Sequence, residues 1–219
     1  MNYTVSEENY LKNIYHLQQQ SATVTTNSLA SELNTKPASV TDMLKKLQIK
    51  DLIEYEKYHG FKLNTAGNKI ALGIVRRHRL WEYFLVNKLG FDWDKVHDIA
   101  DELEHINNIE LIKKLDQYLN FPQTDPHGDP IPDINGKLPQ IKQIALAEVS
   151  TKRLFVVSSV SDQSPEILEL LKHYHIGIGT SLKVNKFFSF DKSLEIKVSQ
   201  QAACIISGQL AKNIFVHHD

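Results

Sequence analysis

Four side chains of the kind that hold divalent cations fall within nine residues, in the pattern His97-x-x-x-Asp101-x-x-Glu104-His105. On one helix the spacings i, i+4, i+7 and i+8 bring all four close to one face. His78 and Glu82 repeat the i, i+4 spacing upstream. Two such ladders facing each other would gather three carboxylates and three imidazoles, which is unfavourable unless a cation sits between them. The chain has a single cysteine, Cys204, which excludes an intramolecular disulfide and the usual thiolate zinc motifs. Oxygen and imidazole donors without thiolate suit Mn(II) or Fe(II), with Zn(II) allowed on affinity grounds. Taken singly, His78 with Glu82 reads as a surface pair and Asp101 with Glu104 as a solvated face; together they read as a metal centre. The HExxH helix of zinc proteases, a Gly-rich phosphate loop and a GxSxG elbow are all absent.

Helical patterns must carry these donors: one from Thr65 to about Leu89, a second from Trp93 to about Ile106, a third from Ile109 to about Leu119, each bounded by Asn, Asp or Gly. Ile74, Trp81, Phe84, Leu85 and Leu89 offer more apolar surface than one thin layer buries, which predicts packing against a second subunit and hence a homodimer. From Asp92 to Asp133 three Lys stand against eleven acids, a balance suited to cations rather than phosphates.

Upstream the balance reverses. Six Lys face four acids from Lys36 to Lys62, in a chain whose net charge is only −1. Tyr10, Leu11, Ile14, Tyr15 and Leu17, with Ser6, Glu7 and Glu8 placed to cap the start, predict a helix over 6–20. A short helix over 26–34 and a break at Thr35-Lys36-Pro37 follow. The next helix runs through Gln48 with Val40, Met43, Leu44 and Leu47 on one face. Short β-prone runs over 52–56 and 60–63 flank Lys57, Tyr58 and His59 as a hairpin. Helix, short helix, turn, helix, hairpin is a winged helix-turn-helix, in which the second helix fits the major groove and the wing reaches phosphate. The residues placed to meet DNA are Lys36, Pro37, Ser39, Thr41, Lys45 and Lys46 around the reading helix, and Lys57, His59 and Lys62 on the wing.

Prolines and glycines crowd the chain from Pro122 to Pro139 and read as an extended linker. Beyond it, β-prone runs over 143–149, 154–160, 181–184, 194–198 and 203–206, interrupted by a helix over 165–174, predict a small SH3-like barrel. The expected fold is α+β: a winged helix-turn-helix domain over 1–72, a helical metal-binding and dimerisation domain with its Pro-rich linker over 73–140, and an SH3-like β-barrel over 141–219. The longest apolar runs fall far short of the ~18 residues of a membrane span. Residues 1–7 lack the basic and apolar regions of a signal peptide, so the expectation is a cytoplasmic protein with no membrane partner.

Several stretches carry a resemblance: Ser6-Glu-Glu-Asn-Tyr-Leu-Lys-Asn-Ile-Tyr15, Pro37-Ala-Ser-Val-Thr-Asp-Met-Leu44, Arg77-His-Arg-Leu-Trp-Glu82, Lys95-Val-His97, Leu103-Glu-His105 and Asp125-Pro-His-Gly-Asp-Pro-Ile-Pro132. They resemble the diphtheria-toxin-repressor and manganese-transport-regulator family of bacterial metalloregulators, across the whole chain. The resemblance implies a longer member, with a C-terminal SH3-like (FeoA-like) domain. It implies a metal site at Asp101, Glu104 and His105 with a first-helix ligand at Asn9, or at Glu8 in its place, because relatives carry Asp or Met where this chain has Asn9. His78, Glu82 and His97 match further ligands of the family's metal centre. Asp125 and His127 hold positions that supply a Cys and a His in some members. Asp101, where iron-responsive members carry Cys, tilts the choice toward manganese. The implied protein is no enzyme but a metal-dependent repressor. It binds palindromic double-stranded operator DNA as a homodimer, with Mn(II) or Fe(II) as corepressor, and controls genes of metal uptake and homeostasis. Two other readings stand beside it: a metal-independent winged-helix regulator, and a metal-dependent hydrolase that activates water.

Overall fold

Helix α1 (Val5–Gln20) starts from a capping box: Thr4 accepts from the Glu7 amide, and the Glu7 carboxylate accepts from the Thr4 amide. Ser6 is the expected cap, but Thr4 has a Glu three residues on, where Ser6 has Asn9. The computed structural model describes all residues except 1–2, 22, 57–59, 151–152 and 219. Helix α2 (Thr26–Glu32) is capped by Thr25, and α3 (Pro37–Ile49) begins at Pro37, where a helix's first turn needs no amide donor. Strands β1 (Ile53–Glu56) and β2 (Gly60–Leu63) pair antiparallel, Ile53 opposite Leu63, and Val24 bridges to Phe61 alongside them. The expected basic tip, Lys57 and His59, lies outside the described residues. Leu11, Ile14, Leu29, Val40, Leu44, Leu47, Phe61 and Ile74 form a single buried core, which is the winged helix-turn-helix.

Helix α4 (Thr65–Leu89) runs as the periodicity predicts, with the Asn64 side chain accepting from the Gly67 amide at its start. The expected single helix over 93–106 is broken into a 3-10 turn, Trp93–Lys95, and α5 (His97–Leu103). Glu104 and His105 therefore lie in a turn beyond the helix rather than on its face. The Arg77 guanidinium donates to the Glu104 carbonyl and so satisfies from outside a group that would otherwise continue the helix. Helix α6 (Ile109–Tyr118) begins where Asn108 accepts from the Leu111 amide.

The chain divides into two compact units. One comprises Met1–His78, Asp101–Leu115 and Pro132–Leu138; the other comprises Arg79–Ala100, Asp116–Ile131 and Pro139–Asp219. In the second, β3 (Ile144–Ala145), β4 (Leu154–Val160), β5 (Ser181–Phe187), β6 (Leu194–Val198), β7 (Ala203–Ile206) and β8 (Ile214–His218) form one antiparallel sheet in the order β3-β8-β4-β5-β6-β7. Helices α7 (Pro165–His173) and α8 (Gly208–Asn213) bury Leu168, Leu171, Leu210 and Ala211 in the same core as Phe155, Val157, Leu182, Ile196 and Val216. This is the expected small β-domain, with an open strand order in place of a closed barrel. Its last helix and last strand were not anticipated, although β8 pairs with both β3 and β4.

The apolar surplus expected on α4 is largely buried within the chain: Ile74, Trp81 and Leu85 are at most 9% exposed. Exposed apolar side chains in this region include Leu89, Phe91, Ile106, Ile109, Leu111, Tyr118 and Phe121. Among the described residues, no helix is long and apolar enough to cross a membrane.

Candidate metal centre

In the first unit, α1 presents Glu8 and Lys12, one turn apart, to the end of α5. The Lys12 ammonium donates to Asp101 Oδ1 at 2.7 Å and lies 2.8 and 2.9 Å from the two Glu104 oxygens. His78 Nδ1 is 2.7 Å from Glu104 Oε2 and 3.1 Å from Asp101 Oδ1. Glu8 takes His105 Nδ1 at 2.6 Å and the Arg77 guanidinium at 3.0 Å. Glu104, Glu8 and Lys12 are buried, whereas Asp101 is half-exposed. Burial works to raise the Asp101 pKa, but the His78 contact and the Lys12 charge outweigh it and hold the carboxyl well below its usual range. Four expected ligands, His78, Asp101, Glu104 and His105, are thus brought together with Glu8. Asn9 is half-buried on α1, its backbone carbonyl accepting from the Asn13 side chain. Sequence reasoning missed Lys12 and Arg77. The available signal was a Lys one turn from Glu8 on the buried side of an amphipathic helix.

In the second unit, Glu82, Asp125 and His127 each offer a ligand atom, all within 4.8 Å of one another, and all three residues are buried. His127 Nδ1 stands 3.9 Å from Glu82 Oε2 and 4.0 Å from Asp125 Oδ1, with no hydrogen-bond partner among the described residues. Its other nitrogen, Nε2, is 2.9 Å from the Trp93 carbonyl, and the Trp93 ring stacks on the imidazole. Donation through Nε2–H leaves the Nδ1 lone pair aimed at the two carboxylates, the arrangement of a metal-ligating histidine. His97, at the exposed start of α5, lies 3.4 Å from Glu82 through Nδ1.

The Pro-rich stretch, expected as an extended linker, is a buried turn at this point. Asp125 Oδ1 accepts from the His127 and Asp129 amides, and the His127 carbonyl accepts from Val160 of β4. Gly128 has φ +87°, and a Cβ there would meet the Ser158 carbonyl oxygen at 1.9 Å, so only glycine fits. Burial first, then the Glu82 and Asp129 charges, push the Asp125 pKa well above its usual value; Arg79, 3.5 Å away, only partly offsets them. Two buried carboxylates that disfavour each other's ionisation, beside an unpartnered imidazole nitrogen, are a donor set that fits a divalent cation.

The DNA-facing expectations fall on an open surface. Lys36, Pro37, Ser39, Thr41, Lys45 and Lys46 are all exposed. Lys45 pairs with Asp42 at 3.2 Å, and the Thr41 hydroxyl donates to the Pro37 carbonyl. Lys62 on β2 is held by Glu56 at 2.6 Å.

Comparison with known proteins matches three stretches of the chain. Residues 2–61 match the model of the iron-dependent repressor N-terminal DNA-binding domain, and residues 64–133 that of its metal-binding and dimerisation domain. The chain is 32% identical over 162 residues to the diphtheria toxin repressor of Corynebacterium jeikeium (strain K411), covering 72% of this chain and 68% of that one. The chain belongs to the iron-dependent repressor family. Residues 144–218 match the FeoA domain. Another member, the HTH-type transcriptional regulator MntR of Bacillus pumilus (strain SAFR-032), is 34% identical over 143 residues, 64% of this chain and 97% of that one. A solved manganese-dependent transcriptional repressor in complex with manganese superposes with a TM-score of 0.84 at 32% identity, over 96% of this chain and 98% of the other. The family consists of metal-responsive transcriptional repressors that bind DNA and dimerise, so both the hydrolase and the metal-independent regulator fall away.

Proposed function

We propose that this chain represses transcription from a palindromic operator as a homodimer, and that its operator affinity rises when Mn(II) or Fe(II) is held by Glu82, Asp125 and His127, with His97 beside them. The observation that carries this reading is the buried His127 Nδ1, unpartnered and facing two buried carboxylates. A bound ion would supply the divalent positive charge that lets both carboxylates stay ionised away from water. The rest belongs to the chain's own groups. His127 keeps its lone pair on the site by donating through Nε2, and Asp125 holds the turn through two amides. Glu82 stands on α4, the helix whose earlier turns place Ala71, Ile74 and Val75 in the winged-helix core. Restraining Glu82 therefore restrains the helix on which the DNA-binding domain is built. Dimeric helix-turn-helix proteins need their reading helices about one DNA turn, ~34 Å, apart. A restraint of this kind selects the binding-competent population.

Hard oxygen donors at Glu82 and Asp125 favour manganese, as do the manganese-dependent relatives. We place the protein in the cytoplasm, divided at about residues 72 and 140, and acting on genes of metal uptake and homeostasis. The test is fluorescence anisotropy on promoter DNA at fixed salt, titrating Mn(II), anaerobic Fe(II) and Zn(II) into wild type and His127→Ala. A gain of about tenfold or more, equivalent to ~1.4 kcal/mol of coupling, is expected in wild type and should be absent from the variant. Equal affinity with and without metal overturns the reading.

A further inference from the structure

We propose that the Lys12 ammonium is the resident cation of the cluster formed by His78, Asp101 and Glu104, and that Mn(II) enters this place only when Lys12 is removed. The inference rests on the reading above only in taking the Glu82 cluster as the ion site of the native chain.

The Lys12 ammonium donates to Asp101 Oδ1 at 2.7 Å and to Glu104 Oε2 at 2.9 Å, the distances of charge-assisted hydrogen bonds, and lies 2.8 Å from Glu104 Oε1, which makes no hydrogen bond among the described residues. It reaches both Asp101 and Glu104 from one point. It is buried, with its side chain 11% exposed, so it is not a solvated lysine that happens to pass. Charge points the same way. Glu8, Asp101 and Glu104 face two fixed cations, Lys12 and Arg77, for a sum of −1 over these named groups. A divalent ion added to that set leaves a buried positive excess beside an ammonium. Without Lys12 the same groups sum to −2, which a divalent ion balances. A tethered ammonium is also present at every metal concentration. It joins α1 to the residues at the end of α5 permanently, and confines the response to metal to the other cluster.

The experiment is equilibrium dialysis of the full chain against Mn(II), counting bound ions per chain. Wild type should retain one ion, which disappears in Asp125→Asn/His127→Ala. Lys12→Gln should bind one ion more than wild type, and adding Glu104→Gln should remove the gain. An unchanged count in folded Lys12→Gln overturns the proposal. If Lys12→Gln does not fold by circular dichroism, Asp101→Asn decides without touching Lys12. Its half-exposed side chain tolerates the change, and the wild-type count should persist; a lost ion overturns the proposal. A wild type that binds no Mn(II) while Lys12→Gln binds one refutes the Glu82 site but not the role of Lys12. No binding by any variant refutes both.

Discussion

Replacing Gly128 by alanine should unfold the turn that carries Asp125 and His127, and its effect can be worked out against Gly90, which has a similar backbone but open surroundings. Both have positive φ, +87° and +73°. An L-residue in the left-handed region costs roughly 1–2 kcal/mol, so each alanine bears that strain. At Gly90 nothing lies within 4 Å of the new Cβ, and the strain is the whole effect. At Gly128 the Cβ lies 1.9 Å from the Ser158 oxygen and must retreat to about 3.4 Å, a movement of some 1.5 Å (3.4 − 1.9). That movement pulls the His127 carbonyl away from the Val160 amide, now 3.0 Å from it. A buried hydrogen bond left unmade costs about 1–3 kcal/mol more. Gly128→Ala should therefore cost ~2–5 kcal/mol, or roughly 4–20 °C in melting temperature for a chain of this size, against ~2–8 °C for Gly90→Ala. The sharper discriminator is Mn(II). At a hundredfold excess over Kd, binding adds about 2.7 kcal/mol of stability. Gly90→Ala should keep that gain in a thermal melt, and Gly128→Ala should lose most of it. Two variants that melt together and respond equally to Mn(II) would refute the reasoning.

Asp42→Asn should strengthen DNA binding. It frees Lys45, now 3.2 Å from Asp42, for a phosphate and removes a charge that repels one. The plot of log K against log salt should steepen by about one unit, and a slope that does not change argues against Lys45 as a phosphate contact. A third expectation concerns acid. Burial tends to raise the Glu7 pKa, but hydrogen bonds from Lys50 and the Thr4 amide bring it below its ordinary value. A depressed carboxyl pKa contributes stability that is full above the unfolded-state value and lost as pH falls through the folded one. Denaturant unfolding between pH 6 and 3, a range chosen to span the ~4.3 of a free glutamate, should show a shallower loss of stability in Lys50→Ala than in wild type. Parallel curves would contradict the role given to this pair.

What the sequence made legible was periodic and local. Helix α4 and strands β4, β6 and β7 came out with their observed bounds, because unbroken apolar patterns ended at Asn, Gly or Ser. The parts that escaped depend on partners remote in the chain. Apolar spacing over 93–106 gives no hint that Arg77 will take the Glu104 carbonyl and stop α5. The proline and glycine density over 122–139 reads as extended chain, yet the Asp125 carboxylate gathers two amides and the stretch turns inward. Strand β8 follows a six-residue helix, and its place is set by pairing to strands far upstream. For the site, the ladder residues were readable from spacing. Asp125 and His127 came only from resemblance, since nothing in a Pro-rich run marks an imidazole as buried.

The two clusters share a vocabulary of carboxylate and imidazole, and ligand spacing alone does not tell them apart. The fixed cation beside each one does. His78 spends Nδ1 on Glu104, whose oxygens already face an ammonium, whereas His127 keeps Nδ1 unpartnered before two carboxylates that resist joint ionisation. In water a lysine near acids is worth little. Buried, it satisfies the same electrostatic demand that a metal would, without depending on supply. On this reasoning, position 12 rather than the donor ladder decides how many ions such a chain takes. A neutral residue there converts a permanent clasp on α1 into one that closes only when metal is abundant.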